Sequence, residues 1–138
     1  MRQSACVGGE WVQADAGATL EVLNPATGEI IGTVPDCGIQ ETHRAIAAAE
    51  SAQRKWASWS VPRRTRVLHQ LADSMATHET ELARICTLEN GKPLAESVGE
   101  VRYGAGFVRW FAEEGRRIYG ETIPASSSSQ RILVTKEP

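Results

Sequence analysis

The sequence has few cysteines, little net charge and no long apolar run, and each shortage argues against a class of protein. Its three cysteines, Cys6, Cys37 and Cys86, are odd in number and form no Cys-x-x-Cys pair, unlike a disulfide-stapled secreted domain. A formal net charge of −2 over 138 residues gives no attraction to nucleic acid or to an anionic membrane. No apolar run reaches the roughly 18 residues of a membrane span, and the N-terminus lacks a signal-peptide core. We therefore expect a cytoplasmic protein that binds neither nucleic acid nor membrane.

Extended segments and turn signals predict two β-hairpins near the N-terminus. The first surrounds the Gly8-Gly9 pair, and the second joins residues 19–23 to residues 29–34 through the turn at residues 24–28. Asn24 and Pro25 open that turn, and Gly28 can close it because glycine adopts positive φ at low cost. Two isolated hairpins are only marginally stable, so we expect them to lie on helices or on a larger sheet.

Three helical patterns and one further strand follow the hairpins. Residues 39–59 carry an alanine and tryptophan stripe, and residues 63–89 carry apolar side chains at spacings of three and four, with threonines that could break the helix near residues 77–79. A third helix runs from Pro93 to about Tyr119, a loop covers residues 120–130, and residues 131–137 form a strand. The predicted fold class is α+β: two N-terminal β-hairpins, three long α-helices and one C-terminal strand.

The third helix is apolar on two sides. On one face, apolar residues recur at spacings of three and four, and the second face is made of aromatic residues. A helix of this kind is usually buried, or held between the body of the protein and another surface. The first face comprises Leu94, Val98, Val101, Ala105, Val108 and Ala112, and the second comprises Tyr103, Phe107, Trp110 and Phe111.

The isolated polar residues form no catalytic constellation. His78 lies on the apolar seam of the second helix and is predicted to be a buried, hydrogen-bonded packing residue. Glu113 and Glu114 lie beside Arg116 and Arg117, which predicts a surface ion-pair cluster rather than acid–base machinery. The cysteines are predicted to act as small apolar side chains.

Ungapped segments of the sequence carry a resemblance to a known family. They are LENGKP at residues 88–93 and WFAEEGRRIYGETIP at residues 110–124, and VLNPATGE at residues 22–29 agrees with them. They closely resemble the aldehyde dehydrogenase superfamily, and within it the bacterial succinate-semialdehyde dehydrogenases, from about residue 8 to residue 138. The resemblance implies an α/β, doubly wound fold for the intact protein. Residues 1–130 would then be the N-terminal part of the cofactor-binding domain, and residues 131–138 the truncated first strand of an oligomerisation arm.

The resemblance also implies an activity and its participants. The small-molecule aldehyde would be succinate semialdehyde, oxidised to succinate with NAD or NADP through a cysteine thiohemiacetal, in a homo-oligomer that is a dimer or a tetramer. The family's catalytic cysteine and glutamate lie beyond residue 138, so we expect no catalytic or cofactor-binding residue in this chain, which alone should be inactive and bind no cofactor. Tyr103 and Phe107 are assigned to the wall of the substrate channel. Some members of the family hold a monovalent cation near the carboxylate that matches Glu89. Most members carry Asp at that position, and this chain carries Glu, so no metal site is assigned.

A second hypothesis belongs to a different class of protein. The chain could be a stand-alone helical interaction module that docks on a partner through the third helix and the edge strand at residues 131–137, by strand addition. The same exposed edge also favours aggregation.

Overall fold

The computed structural model describes residues 3–137, in which four α-helices connect three two-stranded antiparallel sheets. The α+β class is confirmed. The strands are β1 (Ala5–Val7), β2 (Glu10–Val12), β3 (Thr19–Leu23), β4 (Ile30–Pro35), β5 (Glu121–Ile123) and β6 (Ile132–Val134). The helices are α1 (Ile39–Ser58), α2 (Val61–Thr77), α3 (Glu79–Asn90) and α4 (Leu94–Glu114), followed by a 3-10 turn at Gly115–Arg117.

Both predicted N-terminal hairpins are present. β1 pairs with β2, and β3 pairs with β4, with Thr19 opposite Pro35. In the second turn the Asn24 side chain accepts a hydrogen bond from the Ala26 N–H at 3.0 Å, and Gly28 has φ of +77°. Asn24 and Gly28 therefore play the roles that the turn pattern predicts.

The C-terminal strand prediction needs correction. The strand covers only Ile132–Val134, and its partner β5 comes from the segment that we predicted to be loop. Each strand has three residues, too few to show an alternating pattern in the sequence. Pro138, the last residue of the predicted arm strand, lies outside the described residues.

The helix predictions are confirmed in position and corrected in detail. The second predicted helix is two helices, since the backbone breaks at His78 between α2 and α3. His78 itself is exposed, not buried, although its Nδ1 lies 2.9 Å from the Ser74 carbonyl oxygen. At that break the ring points away from the seam that a continuous helix would have formed. α4 ends at Glu114 rather than near Tyr119, because the chain tightens into the 3-10 turn at Gly115.

The core lies where α2 and α3 pack against α4, and it is made of small side chains. The buried apolar residues among these helices are Ala72, Ala83, Ala105 and Ala112. Ser97 is fully buried and its hydroxyl lies 2.8 Å from that of Thr87. The buried Thr65 hydroxyl donates a hydrogen bond to the carbonyl of Ala112 at 3.0 Å. Small side chains let the helix backbones approach closely, and these hydroxyl groups satisfy polar atoms within the contact.

A carboxylate network ties the N-terminal hairpins to α1. The buried Glu41 side chain accepts hydrogen bonds from the backbone N–H of Asp15 at 2.6 Å and of Gly38 at 3.0 Å. These N–H donors hold the pKa of Glu41 below its ordinary value. Arg44 donates two hydrogen bonds of 2.7 Å to the Asp15 carboxylate. The loop after β2 is thus fixed to the first turn of α1, where a negative charge also suits the helix dipole.

Among residues 3–137, no helix combines the length and the apolar character needed to cross a membrane.

Candidate functional site

The clearest candidate site is an apolar surface on the outer side of α4, which we call the aromatic face. It consists of Tyr103, Gly106, Phe107, Trp110 and Phe111, which line an open groove. The Tyr103 and Phe107 rings meet edge to face with centroids 4.7 Å apart, and Phe107 stacks on Phe111 at 6.4 Å. Both arrangements are favourable for aromatic pairs. The result is an ordered apolar wall with few polar atoms.

The helical period of α4 creates this face. Its other side carries Ala105 and Ala112, both buried against α2 and α3, with the half-buried Val108 between them. With 3.6 residues per turn, the aromatic positions fall on the opposite side. We expected this second face to be buried or covered, but within residues 3–137 it is open. Its four aromatic side chains are exposed by 70, 46, 64 and 60% in chain order.

The structure brings together the two residues predicted for a channel wall and adds two more. Tyr103 and Phe107 are in direct ring contact, as their spacing of four on a helix requires. Trp110 and Phe111 complete the same wall. The sequence already placed them on the second apolar face, and the same spacing could have assigned them to the site.

A row of ion pairs borders the aromatic face, and we call it the ion-pair row. Each pair joins α4 to α2 or α3. The N···O distances are 2.8 Å for His69 with Glu113, 2.7 Å for Arg109 with Asp73, and 2.8 Å for Arg102 with Glu79. The hydrogen bonds with Arg102 lower the pKa of Glu79, and the pKa of Arg102 rises in turn. These contacts connect α4 to α2 and α3, and the two arginine pairs neutralise their own charges beside the face.

The predicted ion-pair cluster at the end of α4 forms only in part. Glu114 accepts a hydrogen bond from Arg117. Glu113 instead reaches across to His69 on α2. The packing of α2 on α4 brings that imidazole within reach, and nothing in the local sequence could reveal it.

The turn between α3 and α4 holds a second polar cluster. Gly91 ends α3 in the left-handed conformation. Glu100 accepts hydrogen bonds from the Lys92 ammonium and, at 3.4 Å, from the Cys86 thiol. The Lys92 contact lowers the pKa of Glu100 and raises that of Lys92. Cys86 is therefore a half-buried hydrogen-bond donor as well as a small packing residue.

The remaining candidates stay apart from one another. Glu89 is exposed near the end of α3. Across residues 3–137, no three His, Cys, Asp or Glu side chains come together as potential metal ligands. Gly104 and Gly106 lie in the middle of α4 rather than at a strand-to-helix turn, so this pair does not form a glycine-rich cradle for a pyrophosphate.

Comparison with known proteins identifies the family to which this chain belongs. The sequence model of the Aldehyde dehydrogenase family matches residues 11–138. This chain therefore belongs to the aldehyde dehydrogenase family, and the resemblance noted in its sequence is confirmed.

Several of the individual relatives are semialdehyde dehydrogenases. The chain is 49% identical over 137 residues to glutarate-semialdehyde dehydrogenase of Pseudomonas putida, covering 99% of this chain and 28% of that protein. It is 46% identical over 137 residues to succinate-semialdehyde dehydrogenase [NADP(+)] GabD of Escherichia coli, with the same two coverages. The solved succinate-semialdehyde dehydrogenase from Burkholderia pseudomallei superposes with a TM-score of 0.96 at 48% identity, over 99% of this chain and 28% of that one. The chain thus spans little more than a quarter of the length of these relatives.

Proposed function

We propose that this chain is part of an NAD(P)-dependent dehydrogenase that oxidises a small semialdehyde carrying a second acid group, with succinate semialdehyde as the substrate of first choice. The observation that carries the proposal is the identity of 49% and 46%, over 99% of the chain, to two enzymes named for glutarate and succinate semialdehydes. The two names share one chemistry, an aldehyde and a carboxylate joined by a short methylene chain.

Within that enzyme, the aromatic face would form one wall of the channel that admits the aldehyde. Tyr103 and Phe107 would contact the methylene chain of the substrate, since their rings present apolar surface. The flanking Arg102 and Arg109 are already paired with Glu79 and Asp73. We therefore assign recognition of the substrate carboxylate to residues outside this chain. The only role that we assign to α4 is apolar contact with the methylene chain of the substrate.

The cofactor would likewise be held elsewhere. NAD or NADP supplies the hydride acceptor in such a reaction. Gly104-Ala105-Gly106 lies inside α4 rather than at a strand-to-helix turn, which supports placing the nucleotide site outside this chain. The Cys86 thiol donates a hydrogen bond to Glu100, which also accepts one from Lys92, and we assign it no catalytic role. On this proposal the chain by itself binds no cofactor and has no dehydrogenase activity.

Further parts of the proposal concern organisation. Residues 1–130 would belong to the cofactor-binding domain, and the strand within residues 131–138 to an arm that joins subunits of a homodimer or homotetramer. The unpaired edge of β6 offers backbone groups for such pairing. A cytoplasmic location is proposed with it.

The proposal is tested by reading the coding DNA past codon 138 and expressing the longer product. We expect NAD(P)-dependent oxidation of succinate or glutarate semialdehyde by the longer product, and none by the 138-residue chain. In the longer product, Tyr103→Ala should raise KM for the semialdehyde, whereas Tyr119→Ala, equally exposed but off the aromatic face, should not. A longer product that oxidises neither semialdehyde, or activity in the chain alone, would contradict the proposal.

A stand-alone interaction module is the second candidate, favoured by the open aromatic face and the free edge of β6. A soluble monomer with a cooperative thermal transition would favour the module. Aggregation, or a broad transition, would favour part of an enzyme.

A further inference from the structure

Gly106 lies in the middle of α4, where glycine is unfavourable. Glycine destabilises the interior of a helix relative to alanine. At the nearby Gly104 a packing reason is visible, since an added Cβ would lie 3.4 Å from Met75 Cε. Setting aside its own helical turn, an added Cβ at Gly106 would meet no atom of residues 3–137 within 4 Å. The missing side chain at Gly106 therefore changes the space outside α4 rather than the packing of the described chain.

The space beside Gly106 is the groove of the aromatic face. Gly106 lines that groove together with the four aromatic side chains. It follows Tyr103 by three residues and precedes Trp110 by four, so it lies on the same side of the helix as both rings and between them. The floor of the groove between these two rings is thus bare backbone. A Cβ at this position would enter the groove and occupy about the volume of one methylene group.

Gly99 provides a comparison within the same helix. It also lies inside α4, and an added Cβ there would likewise meet no atom of the described chain within 4 Å. Unlike Gly106, it is not among the residues that line the groove. The two glycines therefore have the same effect on helix stability and differ in their position relative to the aromatic face.

The proposed substrates differ by the volume that Gly106 leaves open. Glutarate semialdehyde has one more methylene group than succinate semialdehyde between its aldehyde and its carboxylate. On the proposed function, residues outside this chain hold both ends of the substrate. A molecule that is longer by one methylene must then bend sideways between those two positions. The apolar groove of α4 is a favourable direction for that bend, because it lets the extra methylene leave water.

We propose that Gly106 sets the length of the semialdehyde that the channel accepts. Its bare backbone receives the extra methylene of glutarate semialdehyde, so the intact enzyme oxidises both the four-carbon and the five-carbon substrate. The inference rests on the proposed function and adds a specificity-determining position to it. A methyl group at residue 106 would fill this recess, which hinders the longer substrate and leaves room for the shorter one. One methylene more or less in an apolar pocket changes kcat/KM about 10–200-fold.

The test compares Gly106→Ala with Gly99→Ala in the longer product of the gene, with kcat/KM measured for both semialdehydes. We expect Gly106→Ala to lower kcat/KM for glutarate semialdehyde about 10-fold or more relative to succinate semialdehyde. Gly99→Ala should leave that ratio unchanged. The same two variants are also melted as 138-residue chains. Each should raise the melting temperature by about 2–4 °C, because alanine favours the helix and neither Cβ meets an obstacle.

The other outcomes overturn the inference in distinguishable ways. An unchanged ratio in Gly106→Ala, or an equal change in Gly99→Ala, would remove Gly106 as the determinant and leave the proposed function standing. A parent enzyme that oxidises only one of the two semialdehydes would do the same. A lower melting temperature for Gly106→Ala would show that the glycine serves packing within the chain. A longer product that oxidises neither semialdehyde would contradict the proposed function, and the inference would fall with it.

Discussion

Replacing Gly91 with alanine should be among the most damaging small changes in this chain. Gly91 ends α3 with φ of +77°, and its N–H donates to the Thr87 carbonyl at 2.8 Å. An alanine Cβ there would lie 2.9 Å from Pro25 Cγ and 3.3 Å from the Ala26 nitrogen. The left-handed conformation costs a non-glycine residue about 1–2 kcal/mol, and forcing the turn outward adds about 1–3 kcal/mol. We expect a loss of about 2–5 kcal/mol in the free energy of unfolding.

The assay is urea denaturation followed by helical circular dichroism. Gly99→Ala is the control, because Gly99 lies inside α4 and an alanine Cβ at that position would meet no atom within 4 Å. That change should stabilise the chain by about 0.5–1 kcal/mol. Gly91→Asn separates the two costs, since asparagine tolerates positive φ but keeps the clash. The reasoning is refuted if Gly91→Ala unfolds at the urea concentration of the parent or above it.

Three further predictions concern acid, the core and the open face. Glu41 has a lowered pKa, so its stabilising contribution is present above its ordinary value of 4.5 and is lost as the pH falls through the folded value. Urea midpoints should therefore drop below about pH 4.5 in the parent, and by less in Glu41→Gln, which keeps Glu79 and Glu100, whose pKa values are also lowered. Thr65→Val should cost about 1–3 kcal/mol by leaving the buried Ala112 carbonyl without its donor, whereas Thr65→Ser should cost less, as equilibrium unfolding will measure. Tyr103→Asp alone should lower the thermal transition of the chain only slightly, through loss of the ring contact with Phe107, because the side chain is 70% exposed; a large drop would mean that the face is covered within the chain.

Long periodic segments were predictable, and features set by packing between helices were not. α1 and the two faces of α4 follow from apolar spacing over about twenty residues. The three residues of β5 carry no such pattern, so the third hairpin was missed. His78 fits the seam of an uninterrupted helix, and only the break between α2 and α3 turns it outward.

The candidate site likewise has one part that the sequence predicts and another that it does not. The contact between Tyr103 and Phe107 is a local consequence of helical spacing and was predictable. The ion-pair row joins residues that lie 23 to 44 positions apart, such as Arg102 with Glu79 and His69 with Glu113. Its geometry depends on how α4 packs against α2 and α3, which no local pattern specifies.

The alanine core should reverse the usual pattern of mutational tolerance. In most proteins the damaging change in a core is from a large side chain to a small one, because a cavity remains. At Ala72, Ala83 and Ala112, each with no exposed surface, there is almost nothing to remove and no room to add. A saturation scan should therefore find that these positions accept serine, lose about 0.5–1 kcal/mol with glycine and reject leucine or phenylalanine. Selection at this core would therefore act on the upper limit of side-chain size, because that limit sets the distance between the helices.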